Sequence, residues 1–162
     1  MREAVFSSLG EGVQGARFLD LFAGTGSYGL EALSRGASRG EFVESDRRAI
    51  AVLKRNMAAV EKSLGDSAAN RVCRVSAMDA VKWRSRDAEH FDLVFADPPY
   101  SWFIERGCDI FDIAERARHK CGCTLVFEMP GDRDISCPGW EMRRRLGKRG
   151  RGEPAVGIYD RV

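Results

Sequence analysis

Two motifs, each following an apolar strand, constrain the fold of this chain more than any other feature. The glycine loop, residues 24–29 (Gly-Thr-Gly-Ser-Tyr-Gly), follows the apolar run 17–22. The Asp-Pro-Pro-Tyr turn, residues 97–100, follows the run 91–96 and begins 68 residues after Gly29. Open α/β sheets are built from strands that pass through a loop into a helix, and they bind ligands at the carboxyl edge of the strands. We therefore expect both motifs at that edge.

Apolar periodicity and turn residues predict strands and helices in alternation along the chain. Strands are expected at residues 17–22, 41–44, 72–75, 91–96, 124–128, 140–146 and 155–159. Helices are expected at residues 1–10, 27–35, 78–86 and 102–119, and Asp46 is expected to cap one more helix. A polar loop is expected at residues 65–70. The alternation predicts a Rossmann-like α/β fold. Its sheet is mostly parallel with helices on both faces, and a C-terminal antiparallel hairpin closes one edge. With 162 residues, the chain is expected to form one domain, residues 1–162.

Helical spacing also predicts which side chains face the core in three of these helices. The inward residues are expected to be Ala4, Val5 and Leu9 in the first helix, Ile50, Leu53 and Met57 in the helix capped by Asp46, and Ile104, Cys108, Phe111 and Ile113 in the last helix.

Composition indicates a soluble globular protein, with 44% hydrophobic and 31% charged residues and no apolar run of transmembrane length. The N-terminus has no secretory apolar region, so a cytoplasmic location and reduced cysteines are expected. Cys121, Cys123, Cys137 and His119 suggest zinc at first sight. There is no paired C-x-x-C, however, and Cys123 begins an apolar strand, so we expect buried thiols and no metal.

The Asp-Pro-Pro-Tyr turn offers hydrogen-bond acceptors and an aromatic face in a rigid loop. Asp97 and the Pro98 carbonyl would accept the hydrogens of an exocyclic amine, while Tyr100 stacks on the ring that carries it. Pro98 and Pro99 have no backbone N–H, so they offer the amine acceptors only. The alternative is a Pro-Pro loop with no binding role. Together with the glycine loop, the turn favours a site that methylates an amine.

Two cofactors compete for the glycine loop. Gly24, Gly26 and Gly29 match G-x-G-x-x-G, and Glu44 lies 20 residues beyond Gly24, as in dinucleotide sites. Asp20 favours the other cofactor. Its carboxylate would point into the pocket, where it would repel a pyrophosphate and attract a cationic ligand. S-adenosylmethionine carries an ammonium and a sulfonium, so it is the preferred cofactor.

The same assignment names further cofactor-binding residues. Glu44 would bind both ribose hydroxyls, and Asp79 with Ala80 would lie at the adenine edge, although Asp79 alone is also typical of a helix N-terminal acid. Phe22, between Asp20 and Gly24, belongs to the same predicted site.

A basic run near the C-terminus is the main asymmetry in a chain whose net charge is only +2. Its six cations fall within nine residues without an acid among them: Arg143, Arg144, Arg145, Lys148, Arg149 and Arg151. Such a run either contacts a polyanion or is a solvated hairpin. We predict that Arg143, Arg144, Lys148 and Arg149 contact RNA phosphates.

The motifs and their flanks resemble one family, the small bacterial 16S ribosomal RNA guanine-N2 methyltransferases (RsmD family). The similar segments are FLDLFAGTGSYGLEALSRGA (18–37), FVESDRRAI (42–50), DLVFADPPY (92–100) and REAVF (2–6), and the resemblance spans residues 2–159. It implies a seven-stranded class I methyltransferase that uses S-adenosylmethionine to methylate one guanine of small-subunit RNA. It also implies the roles given above for Asp20, Gly24, Glu44, Asp79 and residues 97–100.

The resemblance also sets the expected partners and one departure. The partner would be ribosomal RNA or an assembly intermediate of the small subunit, bound by a monomer away from membranes. Family members normally carry a basic hairpin and an Arg-Pro-Thr segment ahead of the first helix, and this chain starts inside that helix.

Two alternative functions stay open. One is a DNA amino-methyltransferase acting on adenine N6 or cytosine N4, which usually has a separate target-recognition region. The other is a non-catalytic protein that binds RNA or cofactor.

Overall fold

The elements of the fold follow the predicted alternation closely. The computed structural model describes residues 1–65, 71–86, 90–117 and 122–162. In chain order the elements are α1 (Arg2–Leu9), β1 (Arg17–Leu21), α2 (Ser27–Ser34), β2 (Arg39–Glu44), α3 (Arg47–Leu64), β3 (Val72–Ala77), β4 (Leu93–Ala96), α4 (Tyr100–Ala117), β5 (Thr124–Pro130), β6 (Trp140–Gly147) and β7 (Pro154–Arg161). Within these ranges no helix is long and apolar enough to cross a membrane.

The seven strands form one sheet in the order β3-β2-β1-β4-β5-β7-β6. Strands β1 to β5 run parallel, whereas β7 is antiparallel to both β5 and β6. The predicted fold, a mostly parallel Rossmann-like sheet with a C-terminal antiparallel hairpin, is confirmed. The order of strands reverses between β1 and β4, and a crevice at such a switch point is where open α/β sheets bind ligands.

The central strands are buried on both faces because successive side chains enter two different cores. Phe18 and Phe95 pack with α1, α2 and α3 on one face. Leu19 and Val94 pack with α4 on the other face. The two cores hold the carboxyl ends of β1 and β4 side by side, which fixes the positions of the loops that follow them.

Helix α3 begins as predicted. Asp46 caps it, because its Oδ1 accepts from the backbone N of Arg48 at 2.6 Å and of Ala49 at 3.4 Å. Ile50 and Leu53 are buried and Met57 packs against the core, as expected.

Two inward-face predictions are wrong in part. In α1, Val5 and Phe6 are buried but Ala4 is exposed, because the aromatic ring of Phe6 packs against Phe95 at 5.8 Å between centroids. In α4, Phe111 and Ile113 are buried as predicted.

Ile104 and Cys108, by contrast, are exposed. The reason is a break at Arg106 (φ −138°, ψ 16°), which shifts the inward stripe to Phe103, Gly107 and Ile110.

The predicted helix at 78–86 is wrong. Only Ala80–Lys82 is helical, as one 3₁₀ turn, and Trp83 is extended (φ −60°, ψ 139°). Trp83 is 1% exposed and its ring packs edge-on against Phe91 at 5.9 Å, so burial of this large side chain overrides the local helical pattern. The predicted loop at 65–70, beyond Gly65, lies outside the described residues, as do His119 and Cys121.

Candidate active site

A pocket of about 580 Å³ opens at the carboxyl edge of the sheet, a volume suited to a nucleoside-sized ligand. Its lining residues are Phe22, Glu44, Ser45, Asp79, Asp97, Pro98, Pro99, Tyr100 and Trp102. These residues lie at or after the carboxyl ends of β1, β2, β3 and β4. Because three of them are acids and none is basic, we call this site the acidic pocket.

The Asp-Pro-Pro-Tyr turn forms one wall of the acidic pocket, as the sequence predicts. Asp97 follows β4, and Tyr100 is the first residue of α4. The Phe103 backbone N donates to the Pro99 carbonyl at 3.1 Å, which ties the turn to the helix. Asp97 is exposed and Tyr100 is 39% exposed. An acceptor and an aromatic face are therefore accessible side by side.

The glycine loop has its glycine N–H groups already engaged within the protein. The Gly24 N donates to Glu44 Oε2 at 2.8 Å, and the Gly29 N donates to Asp20 Oδ2 at 2.9 Å. The Gly26 N donates to the Ala23 carbonyl at 2.7 Å. A pyrophosphate at such a loop is held by free backbone N–H groups. The three glycine N–H groups are therefore not available to a phosphate, and the acidic lining of the pocket favours a cationic ligand, in agreement with the preference inferred from Asp20.

The glycines serve two different purposes. Gly24 (φ 55°) has nothing nearer than the Phe22 carbonyl, 4.0 Å away, to meet an added Cβ, so a ligand can approach its backbone. At Gly26 (φ 90°) a Cβ would collide with Leu53. Gly26 therefore lets α3 pack closely, and of the two predicted cofactor-binding glycines only Gly24 is open to a ligand.

Glu44 fastens the end of β2 to the glycine loop. Besides Gly24, its carboxylate accepts from the backbone N of Ser45 at 2.7 Å and of Asp46 at 2.8 Å. A carboxylate has about four acceptor positions. One position therefore remains for a ligand hydroxyl, and the binding of both ribose hydroxyls by Glu44 stays a prediction.

Asp79 follows β3 and lies in the wall of the acidic pocket, so its predicted contact with adenine stays a prediction. Its Oδ1 accepts from the Val81 backbone N at 3.0 Å and caps the 3₁₀ turn, and its exposed side chain lines the acidic pocket. Ala80 is buried and lines a small adjoining cavity. Phe22 has a left-handed backbone (φ 57°), unusual for a residue other than glycine, and its ring packs edge-on against Trp102 at 5.1 Å. Trp102 is a wall residue that sequence reasoning missed.

Asp20 is not on the pocket surface, contrary to expectation. It is 3% exposed, because β1 continues to Leu21 and the Asp20 side chain lies beneath the glycine loop against the Gly29 N. Burial, with smaller contributions from the charges of Asp97 and Glu44, raises the pKa of Asp20 to about 7.

A second buried acid shows what is unusual about Asp20. Glu41 is 2% exposed, but it forms an ion pair with Arg74 and accepts from Ser76 Oγ at 2.6 Å. In the described part of the chain, no basic side chain pairs with Asp20. Among those residues the negative charge of Asp20 is stabilised by the hydrogen bond from the Gly29 N but by no cation, and a cationic ligand would compensate it.

Sequence reasoning also missed Glu128, which lies beside the Asp-Pro-Pro-Tyr turn near the end of β5. Ala96 and Phe127 are paired in register, so Asp97 and Glu128 follow on neighbouring strands. Partial burial raises the pKa of Asp97, and the charge and hydrogen bond of Glu128 raise it further. The available signal was an acid near the carboxyl end of an apolar strand, the same pattern that singles out Asp20.

The basic hairpin, which we define as β6, β7 and residues 148–153 between them, reaches the same edge of the sheet. Pro154 pairs with Pro130 at the carboxyl end of β5, so residues 148–153 project beside the acidic pocket's edge. Several of its arginines are paired with acids: Arg143 with Asp160 at 3.4 Å, Arg145 with Asp134 at 2.8 Å, and Arg149 with Asp134 at 2.9 Å. Across the described ranges, Arg144, Lys148 and Arg151 form no ion pair, so the predicted RNA contacts divide into paired and unpaired cations.

Comparisons with known proteins identify the family of this chain. Residues 1–146 match a family model described as Conserved hypothetical protein 95. A putative rRNA methyltransferase, YlbH of Bacillus subtilis, is 38% identical over 100 residues, which cover 62% of this chain and 52% of that protein. Ribosomal RNA small subunit methyltransferase D of Haemophilus influenzae is 35% identical over 117 residues, 72% of this chain and 54% of that protein.

A solved structure described as putative methyltransferase yhhF from Escherichia coli has a TM-score of 0.80 and 26% identity. The match covers 99% of this chain and 84% of that one. The chain spans about half the length of the curated relatives it matches. The predicted family resemblance is confirmed.

Proposed function

Because this chain belongs to the family described as Conserved hypothetical protein 95, we propose that it is an S-adenosylmethionine-dependent methyltransferase. Its substrate would be the exocyclic N2 amine of a guanine in small-subunit ribosomal RNA. The observation that carries the reaction class is the Asp-Pro-Pro-Tyr turn in the wall of the acidic pocket. The choice of guanine in small-subunit RNA rests on the predicted family and on relatives named for that RNA.

The residues of the acidic pocket suit a cationic nucleoside cofactor. Glu44 and Asp79 would hold the ribose and the adenine edge, with Phe22 and Ala80 beside them and Gly24 open to the aminoacyl chain. Asp20, beneath the loop, would act through its charge. When bound, S-adenosylmethionine supplies an electrophilic methyl group.

The residues of the turn would prepare the amine. The lone pair of a guanine amine is delocalised into the ring, so the amine is a poor nucleophile and its orientation matters. Asp97 and the Pro98 carbonyl accept its two hydrogens, and Tyr100 stacks on the base. The nitrogen gives up one proton as it gains the methyl group. Asp97 is placed to take that proton, which then passes to water.

The basic hairpin would hold the RNA backbone at the same edge. Arg144 and Lys148 are exposed and unpaired among the described residues, whereas Arg143 and Arg149 would exchange an acid for a phosphate. Such contacts position RNA without reading its sequence. We expect a cytoplasmic monomer whose partner is ribosomal RNA or an assembling small subunit.

Two measurements test this function. Calorimetry should show binding of S-adenosylhomocysteine and none of NAD, because the glycine N–H groups are occupied and the pocket is acidic. Labelled methyl groups should then pass from S-adenosylmethionine to small-subunit RNA or particles, at the N2 of guanine. Binding of NAD without binding of S-adenosylhomocysteine would overturn the assignment of S-adenosylmethionine as the cofactor. Methylation of DNA in preference to RNA would indicate the amino-methyltransferase of DNA instead, and cofactor binding without any transfer would indicate a binding protein.

A further inference from the structure

Glu128 joins the two motifs of the site, although it belongs to neither. The Tyr28 hydroxyl, from the glycine loop, donates to Glu128 Oε1 at 2.6 Å. On its other side Glu128 lies next to Asp97 of the Asp-Pro-Pro-Tyr turn, because Ala96 and Phe127 are paired in register on neighbouring strands, and its charge raises the pKa of Asp97. One half-buried carboxyl group therefore bridges the cofactor-facing loop and the amine-facing turn.

Tyr28 is held rigidly, so it can fix the position of Glu128. It is 5% exposed, and its ring stacks on Phe95 with centroids 5.4 Å apart and planes 15° apart. Phe6 of α1 packs against the same ring at 6.4 Å. A hydroxyl on a ring packed this way has little freedom, so the bond to Glu128 is pre-organised.

The surroundings of Glu128 determine how its charge acts. Among the described residues, its charge raises the pKa of Tyr28, Asp97 and Tyr100. The charge of Asp20 also raises the pKa of Tyr28, and the charge of Asp97 raises the pKa of Asp20. On β7 the residue opposite Glu128 is the buried, uncharged Val156. No cation is among these neighbours, so the Tyr28 hydroxyl is the group that stabilises the Glu128 carboxylate beside Asp97.

We propose that Glu128 is a positioning residue for methyl transfer, oriented by Tyr28. It would hold the Asp97 carboxyl group against the amine and form with Asp97 a two-carboxyl acceptor for the amine proton. This inference rests on the proposed function. As the nitrogen gains the methyl group, one of its N–H bonds breaks and leaves its electron pair on nitrogen. An O–H bond forms on Asp97, and the carboxyl groups of Asp97 and Glu128 hold this proton between them. Water at the exposed Asp97 then removes the proton.

Two variants of Glu128 separate its charge from its position. Glu128→Gln keeps an acceptor for Tyr28 and a partner for Asp97 but removes the charge, so the pKa of Asp97 should fall. The acid limb of the pH profile of kcat should then move to lower pH. Glu128→Ala removes the charge and also the side chain that contacts Tyr28 and Asp97. Its kcat should fall by about tenfold to a hundredfold, with little change in KM for RNA. Tyr28→Phe keeps the packed ring, and kcat should fall less than in Glu128→Ala.

Carbon-13 NMR of labelled aspartate supplies a readout that does not depend on activity. Asp97, assigned from its missing signal in Asp97→Asn, should titrate at a higher pH in the wild-type protein than in Glu128→Gln. Glu11→Gln is the matched control. Glu11 is exposed in the turn before β1, at the opposite end of the sheet, so the variant removes the same charge without touching the pair.

The outcomes distinguish this inference from the proposed function. An unchanged Asp97 titration in Glu128→Gln would overturn the inference even in a fully active enzyme. So would an active Glu128→Ala protein with the wild-type pH profile. A wild-type protein that shows the titration difference but transfers no methyl group would overturn the proposed function instead, and would leave the carboxyl pair as a feature of the fold.

Discussion

The acidic pocket and the basic hairpin lie at the same edge of one sheet, and they carry charge in opposite ways. Beneath the acidic pocket, Asp20 is almost fully buried, and it lies close enough to Glu44 and Asp97 of the pocket wall for their charges to raise its pKa. In the basic hairpin the arginines are largely exposed, and Asp134 or Asp160 pairs with several of them.

This difference shows which region is committed to a specific ligand. An exposed cation with an acid beside it changes the stability of the fold little, because its charge is already stabilised by solvent and by the acid. A buried acid without a cation is unfavourable until a ligand compensates it. We therefore expect substitutions in the pocket to have large effects on stability or rate, and substitutions in the hairpin to have small, additive effects on RNA binding.

The largest expected effect concerns the buried charge of Asp20. Its pKa in the folded protein is raised from 3.8 to about 7, so the folded state holds an extra proton between those values. Without cofactor, stability should fall as pH rises from about 4 to about 7, by at most about 4 kcal/mol. Asp20→Asn, whose amide oxygen still accepts from the Gly29 N, should lose the Asp20 contribution to this slope, keep the smaller slope that Asp97 contributes, and be more stable than the wild-type protein at about pH 8.

Urea unfolding across this pH range measures the effect of Asp20→Asn, and Glu41→Gln is the matched control. Glu41 is equally buried but paired with Arg74, so its substitution should destabilise the protein. Equal pH dependence in Asp20→Asn and the wild-type protein would contradict an uncompensated charge at Asp20.

The next effect separates the two walls of the acidic pocket. Asp97→Ala should reduce turnover by at least about a hundredfold, because the variant no longer accepts a hydrogen bond from the reacting amine, while cofactor affinity stays nearly unchanged. Asp79→Ala should do the reverse, weakening S-adenosylhomocysteine with turnover retained at saturating cofactor. Single-turnover rates and calorimetry on both variants measure this. If cofactor affinity of Asp97→Ala falls in proportion to rate, its assignment to the amine is wrong.

Much of this site follows from the sequence because it is built from strand ends. Asp97 and Glu44 each follow or end an apolar run, and parallel strands bring such positions to one edge. What the sequence could not supply are orientations set by packing. Asp20 lies one residue short of the end of β1 and is therefore covered by the glycine loop. Glu128 also lies near the end of an apolar strand, but its neighbours Asp97 and Tyr28 follow from the register of β5 against β4 and from the packing of Tyr28, which no local pattern encodes.

Helices were less predictable where a single large side chain or a kink decides the outcome. Trp83 is drawn into the core and leaves one 3₁₀ turn where a longer helix is predicted. The irregular Arg106 turns Ile104 outward. In both cases tertiary packing outweighs the apolar periodicity of the sequence. That periodicity predicts the helix correctly over a few residues but not over its whole predicted length.

The smallest expected effect tests whether the basic hairpin binds RNA phosphates. Replacing Arg144, Lys148 and Arg151 with Gln removes cations that form no ion pair within the described residues, so it leaves no acid unpaired. The variant should bind all RNA sequences more weakly by similar amounts. The slope of log affinity against log salt should flatten by roughly 0.7–0.9 for each phosphate that the variant no longer neutralises. Affinity for S-adenosylhomocysteine should not change.

The control for this triple substitution is the same change at Lys54, Arg55 and Lys62. These residues are exposed on α3, which packs against β2 and β3 at the other end of the sheet. If both triple variants flatten the salt slope equally, the effect reflects net charge alone. If neither does, the basic hairpin is a solvated edge whose arginines protect β6 from pairing with other strands, and RNA binding must come from other surfaces.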